Sequence, residues 1–122
     1  MIALDTNVWV RYIVQDDEQQ APLAIKIINQ CSVDNPVFIN EITLCEIVWV
    51  LKRAYGYEKD VILKVLTQFL NADDISIASH FQALIAYDDY SVGNADFSDY
   101  FIAQLNINAA CLYTFSFDKK AC

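Results

Sequence analysis

Glycine occurs only twice in the 122 residues, at Gly56 and Gly93, too sparsely to build a phosphate-cradling loop of the G-x-x-x-x-G-K or G-x-G-x-x-G type. Nucleoside triphosphates and dinucleotides are thereby disfavoured as substrates. Histidine occurs once, at His80, so no serine or cysteine has an evident histidine partner for nucleophilic catalysis, and no imidazole pair is present to hold zinc. His80 precedes Phe81, Leu84 and Ile85, the expected apolar stripe of its helix, and reads as an exposed residue. The cysteines Cys31, Cys45, Cys111 and Cys122 show no C-x-x-C spacing, which removes support for zinc and redox motifs. Cys45 and Cys111 read as buried free thiols. No apolar run approaches the roughly 18–20 residues needed to cross a bilayer. The first residues also lack a cationic start followed by a long apolar core, which argues against a secretory signal. Cytoplasm is the expected compartment.

Positive charge is scarce as well. Eight Lys and Arg stand against sixteen Asp and Glu, a formal net charge of −8. A protein that coats nucleic acid through a general basic surface is therefore disfavoured. A nuclease that offsets its carboxylates with metal ions is not, and Arg11, Lys52, Arg53, Lys119 and Lys120 are available to line a groove. Hydrophobic residues make up 56% of the chain, enough for one packed domain over residues 1–122 and for an apolar interface besides. Trp9, Trp49 and Tyr55 are candidates for that interface, with the core the favoured place for Trp9.

The residues alternate between strand-like and helix-like patterns. Ile2, Ala3 and Leu4 read as the first strand of a buried sheet. A helix follows, starting near Thr6 or Asn7 and capped by either side chain, and a second spans residues 17–32, with Pro22 near its start. Residues 36–40 read as a second strand, and 41–55 as a helix stopped by Gly56. Residues 58–70 give another helix, with Val61, Ile62, Val65, Leu66 and Phe69 as its core stripe. A strand at 75–78, helices at 79–91 and 95–107, and a last strand at 110–117 complete the pattern. Such alternation implies an α/β sandwich with a mainly parallel sheet flanked by helices, whose ligands bind at the carboxyl ends of the strands.

Against this frame the placement of the acids is the main signal. Asp5 stands at the end of the first strand, and Asp118 at the end of the last. Glu46 lies in ITLCEIVWVL, where Ile42, Thr43, Trp49 and Val50 make its helical surroundings apolar. An unpaired charge buried there costs several kcal/mol in order of magnitude. Asp96 and Asp99 sit three residues apart in NADFSDYFIAQL, a like-charge pair costing roughly 0.2–0.5 kcal/mol unless a cation binds between them. Oxygen-only ligands select hard cations, so magnesium or manganese is expected, with hydrolysis of a phosphodiester by a metal-activated water as the matching chemistry.

Four segments in order, LDTNVWVRYI, LCEIVWVLKR, NADFSDYFIAQL and FDKKA, resemble PIN-domain proteins, and among them the VapC-type toxins of toxin–antitoxin pairs. The resemblance covers essentially the whole chain. It implies a PIN-like three-layer sandwich and a metal-dependent endoribonuclease, usually a homodimer, held inactive by a small VapB-like antitoxin that wraps the active-site groove. By that resemblance Asp5, Glu46 and Asp99 fall on the core acidic positions, and Asp96 and Asp118 on more variable ones, all five as metal ligands. Thr6 and Asn7 look like the pair that positions a carboxylate or a metal-bound water after the first acid. The family's closing T-F-D departs here, with Ser116 in the threonine's place ahead of Phe117 and Asp118.

Two other classes remain open on the residues. A non-catalytic PIN-like module would engage a protein partner through the same acids. A phosphatase with an aspartyl nucleophile would need a second acid two residues after Asp5, where Asn7 stands.

Overall fold

A computed structural model describes residues 1–117 of the protein. Its contacts gather the chain into two compact units, Met1–Ala78 and a second beginning at Ser79.

The first unit holds a parallel sheet. Strands β1 (Ile2–Ala3), β2 (Val37–Ile39) and β3 (Ile75–Ile77) lie in the order β1-β2-β3, with Ile2 opposite Val37 and Val37 opposite Ile75. Parallel neighbours cannot be joined by a tight turn. Two helices fill each crossover: α1 (Thr6–Val14) and α2 (Gln20–Asn29) after β1, then α3 (Glu41–Arg53) and α4 (Lys59–Asn71) after β2. The central strand is the buried one, with Val37 and Ile39 only 1% and 0% exposed. Ile2 and Ala3 are exposed, which corrects the expectation of a buried first strand, because β1 lies at the edge of the sheet with one neighbour.

The helices α3 and α4 each bury an apolar stripe at helical spacing. In α3 that stripe is Leu44, Ile47, Val48 and Leu51, spaced three and four residues apart. In α4 it is Ile62, Leu66, Phe69 and Leu70, a set rotated slightly from the expected one, so that Val61 is left exposed. Beyond α3, Gly56 takes φ 65° and the Tyr57 amide donates back to the Leu51 carbonyl at 3.0 Å, a helix stop that favours glycine. Trp9 of α1 is fully buried, its ring 5.1 Å from Phe69 and 6.3 Å from Tyr12. It belongs to the core and not to an interface.

The second unit contains α5 (His80–Val92) and α6 (Phe97–Asn108), packed on each other. Aromatic contacts run from Tyr90 to Phe97 at 5.9 Å and from Phe97 to Phe101 at 5.6 Å. The buried face of α5 is Ala83, Ala86 and Tyr90, whereas Phe81 and Leu84, expected in its core stripe, are exposed. His80 is exposed as anticipated. At Gly93 a Cβ would collide with the Tyr100 ring and hydroxyl, and that hydroxyl accepts a hydrogen bond from the Ala95 amide at 3.2 Å. The strand expected at 110–117 is not formed by the described residues. Ala110 leaves α6 with φ 69°, the Cys111 amide turns back to the Asn106 carbonyl, and Leu112, Tyr113, Phe115 and Phe117 are exposed with no ladder partner.

The indole Nε1 of Trp9 finds no hydrogen-bond partner among the described residues, an omission that costs about 1–3 kcal/mol. Ring burial must outweigh it. Truncation to Trp9→Ala is expected to lower unfolding free energy by about 3–5 kcal/mol in urea titrations, and a loss under 1 kcal/mol would show that the ring is not a core anchor.

Candidate acidic site

Asp5 stands where β1 hands over to α1. Its backbone is extended, with φ −76° and ψ 170°, and its Oδ1 accepts hydrogen bonds from the amides of Asn7 at 2.9 Å and Val8 at 3.3 Å. The cap of α1 is therefore Asp5, not Thr6 or Asn7, and its negative charge sits favourably at the helix N-terminus. Oδ2 takes no part in these bonds. Asp5 is exposed, Thr6 half-buried and Asn7 exposed. Asp5 and Asn7 border a cavity of about 320 Å³ shared with Arg11 and with Gln20 and the apolar residues of α2.

Glu46 is exposed on α3, contrary to the expectation of an acid in apolar surroundings. The stripe of Leu44, Ile47, Val48 and Leu51 faces inward, so the face carrying Glu46 turns out, and with it Ile42 at 73% and Trp49 at 59% exposure. Lys52 and Arg53 close the same helix, where cations complement the carbonyl end.

Asp96 and Asp99 are brought together as a reciprocal cap on α6. The Asp96 side chain accepts from the Asp99 backbone, and Asp99 Oδ2 accepts from the Asp96 amide at 3.2 Å. The like-charge cost expected for the pair is met by these two backbone donors, because Asp96 is the cap residue outside the helix. Both acids are half-buried, and Ser116 is exposed. Asp118 lies outside the described residues, as do Lys119 and Lys120.

The candidate donors are all oxygens, which suits magnesium or manganese in chemistry. Among the described residues no three Asp, Glu, His or Cys side chains form a group able to hold a metal ion.

A family model for the PIN domain matches residues 2–121. The chain belongs to the PIN domain family. PIN domains are in general nuclease modules, and the α/β fold with its parallel sheet agrees with that membership. Comparison with curated proteins and with solved structures returned no match.

In this PIN domain the neighbourhood of Asp5 includes side chains that the motifs did not single out. Arg11 Nε donates to Gln20 Oε1 at 2.8 Å, its Nη1 donates to the Tyr55 hydroxyl at 3.0 Å, and the same nitrogen lies 3.6 Å from Asp16. Asp17 accepts from the amides of Gln20 and Gln19 at 2.7 and 2.9 Å. The Gln20 amide above all, then that of Gln19, holds the Asp17 carboxyl below its ordinary range, with Arg11 adding to the effect. The support it gives to the start of α2 is present above that range and is lost as pH falls. Only Arg11 was visible beforehand, as a candidate groove cation. Gln20 and Leu23 carry no motif, because they meet Asp5 only through the packing of α2 on α1.

Cys45 adjoins Glu46. Burial, assisted by the Glu41 carboxylate, pushes its thiol up to about 11 from 9.0. Cys111 is exposed, which corrects its expected burial, since the strand meant to enclose it does not form. For Cys45, a folded value above the unfolded one leaves stability intact below pH 9 and removes it as pH rises toward 11. At pH 8 a thiol reagent is expected to label Cys111 readily and Cys45 slowly, read by mass spectrometry, and Cys45→Ala is expected to flatten the alkaline loss of stability. Equal labelling of both would contradict the assignment.

Proposed function

We propose that the chain is a metal-dependent endoribonuclease and the toxin of a type II toxin–antitoxin pair of the VapC type. It acts as one PIN-like nuclease domain over residues 1–122, in the cytoplasm, as a homodimer inhibited by a VapB-like antitoxin. Family membership supports the nuclease part, and the four ordered motifs support the finer part. One observation carries the reading: Asp5, at the carboxyl end of β1, lines a cavity and spends Oδ1 on two amides of α1, leaving Oδ2 outside those bonds. A carboxylate fixed in this way is oriented before any ligand arrives.

In this reading Asp5, Glu46, Asp99 and Asp118 are the catalytic acids, with Asp96 as a further ligand and Thr6, Asn7 and Ser116 as positioning residues. Magnesium or manganese held by these carboxylates would supply an activated water and offset charge developing on the phosphate. The cap amides of Asn7 and Val8 restrict rotation of Asp5, and the Asp96–Asp99 pair is restrained in the same manner by α6.

A non-catalytic module that grips a protein partner is the second reading. It is favoured by the apolar exposure of Ile42 and Trp49 on either side of Glu46.

Asp5→Asn separates the two. Asparagine still caps a helix, so the fold is expected to survive by circular dichroism. Cleavage of total RNA with added manganese is expected to fall by more than the roughly 10–100-fold typical of groups that only orient a metal ligand. Unchanged cleavage by the folded variant would exclude the hydrolytic role.

A further inference from the structure

We propose that the cavity between α1 and α2 is a nucleobase subsite, which holds a base of the RNA beside the scissile phosphate and prefers guanine; this rests on the nuclease reading above. The cavity encloses about 320 Å³, near the lower end of the roughly 300–1,000 Å³ found for small-ligand pockets. That suits a single nucleotide and not a duplex.

Its walls divide by chemistry. Val8, Leu23, Ala24 and Ile27 form an aliphatic side, and Leu23 and Ile27 are 60% and 37% exposed although four residues apart on one face of α2. A planar base laid against them would cover that surface. The opposite side is rich in donors. Arg11 spends Nε on Gln20 and Nη1 on Tyr55 and Asp16, so the plane of its guanidinium is held from three directions while Nη2 takes no part in those bonds. The bond from Arg11 also fixes the Gln20 amide: Oε1 accepts it, and the Nε2 hydrogens stay outside it. Arg11 Nη2 and Gln20 Nε2 give two donors from side chains that the Arg11–Gln20 bond ties together, and a base edge bearing two acceptors matches such a pair. The O6 and N7 of guanine provide that edge, whereas adenine sets its N6 amino group, a donor, against one of the two donors. Asp5 lies on the same wall, so a base seated here stands next to the acid assigned to hydrolysis. Tyr55 and Asp16 act as positioning residues for Arg11.

The test is methyl and side-chain NMR of the full chain without metal, titrated with guanosine and adenosine monophosphates, together with cut-site mapping on RNA. The guanine nucleotide is expected to shift the Leu23 and Ile27 methyls and the Arg11 Nε–H, with adenine roughly tenfold weaker or more. Gln20→Ala is expected to erase that preference. Leu23→Trp, a substitution at an exposed position that narrows the cavity, is expected to block the shifts and to redistribute the cuts. Absent shifts, equal shifts with both nucleotides, or an unchanged cut pattern in Leu23→Trp would overturn the subsite. Wild-type protein that cuts no RNA with magnesium or manganese would instead overturn the nuclease reading, and the base preference would then be decided by the methyl shifts alone.

Discussion

The hand-over from β1 to α1 at Asp5 is the constraint on which the rest of the first unit depends. One carboxylate oxygen satisfies two of the amides that a helix start leaves without intrahelical partners, and so sets where α1 begins. The start of α1 places Trp9 against Phe69 in the core and Arg11 against Gln20 at the surface. A structural bond and an available oxygen thus coexist on one side chain. This combination explains how an acid can be fixed in orientation and exposed without the penalty of a buried charge.

A second layer of order comes from Arg11. Its guanidinium ties α1 to Gln20 of α2 and to Tyr55 just beyond α3, and Asp17 secures the first residues of α2 through their amides. Exposed ion pairs such as Arg11–Asp16 contribute little to stability. Their value here lies in geometry, because they help to hold the guanidinium that lines the cavity beside Asp5. The second unit shows the same economy, with Asp96 and Asp99 each accepting a backbone hydrogen bond from the other.

Much of the fold was legible in the sequence. The order of strands and helices and the stop at Gly56 follow from apolar periodicity and turn chemistry, both of them local properties. The misses came where two local patterns compete or where a partner is required. In α3 both faces carry apolar residues, and only packing shows that Leu44, Ile47, Val48 and Leu51 win, which turns Glu46, Ile42 and Trp49 outward. Residues 110–117 have strand composition, yet a strand needs a ladder, and none forms among the described residues. A helix starting at residue 95 would set Asp96 and Asp99 as like charges on one helical face; α6 starts at Phe97, and the pair becomes a cap. Of the candidate site, the acids were visible as motif positions, but Gln20 and Leu23 were not, since nothing in their own neighbourhood announces what lies across α1.

The proposed function stands on whether Asp5, with one oxygen bound to the start of α1, takes a divalent cation with the other. Paramagnetic broadening of amide NMR signals by substoichiometric manganese tests this most directly. The account predicts that signals adjoining Asp5 broaden at the lowest manganese concentration and recover on addition of magnesium. Broadening that spares the neighbourhood of Asp5, or that spreads evenly over the exposed carboxylates of the chain, would contradict it.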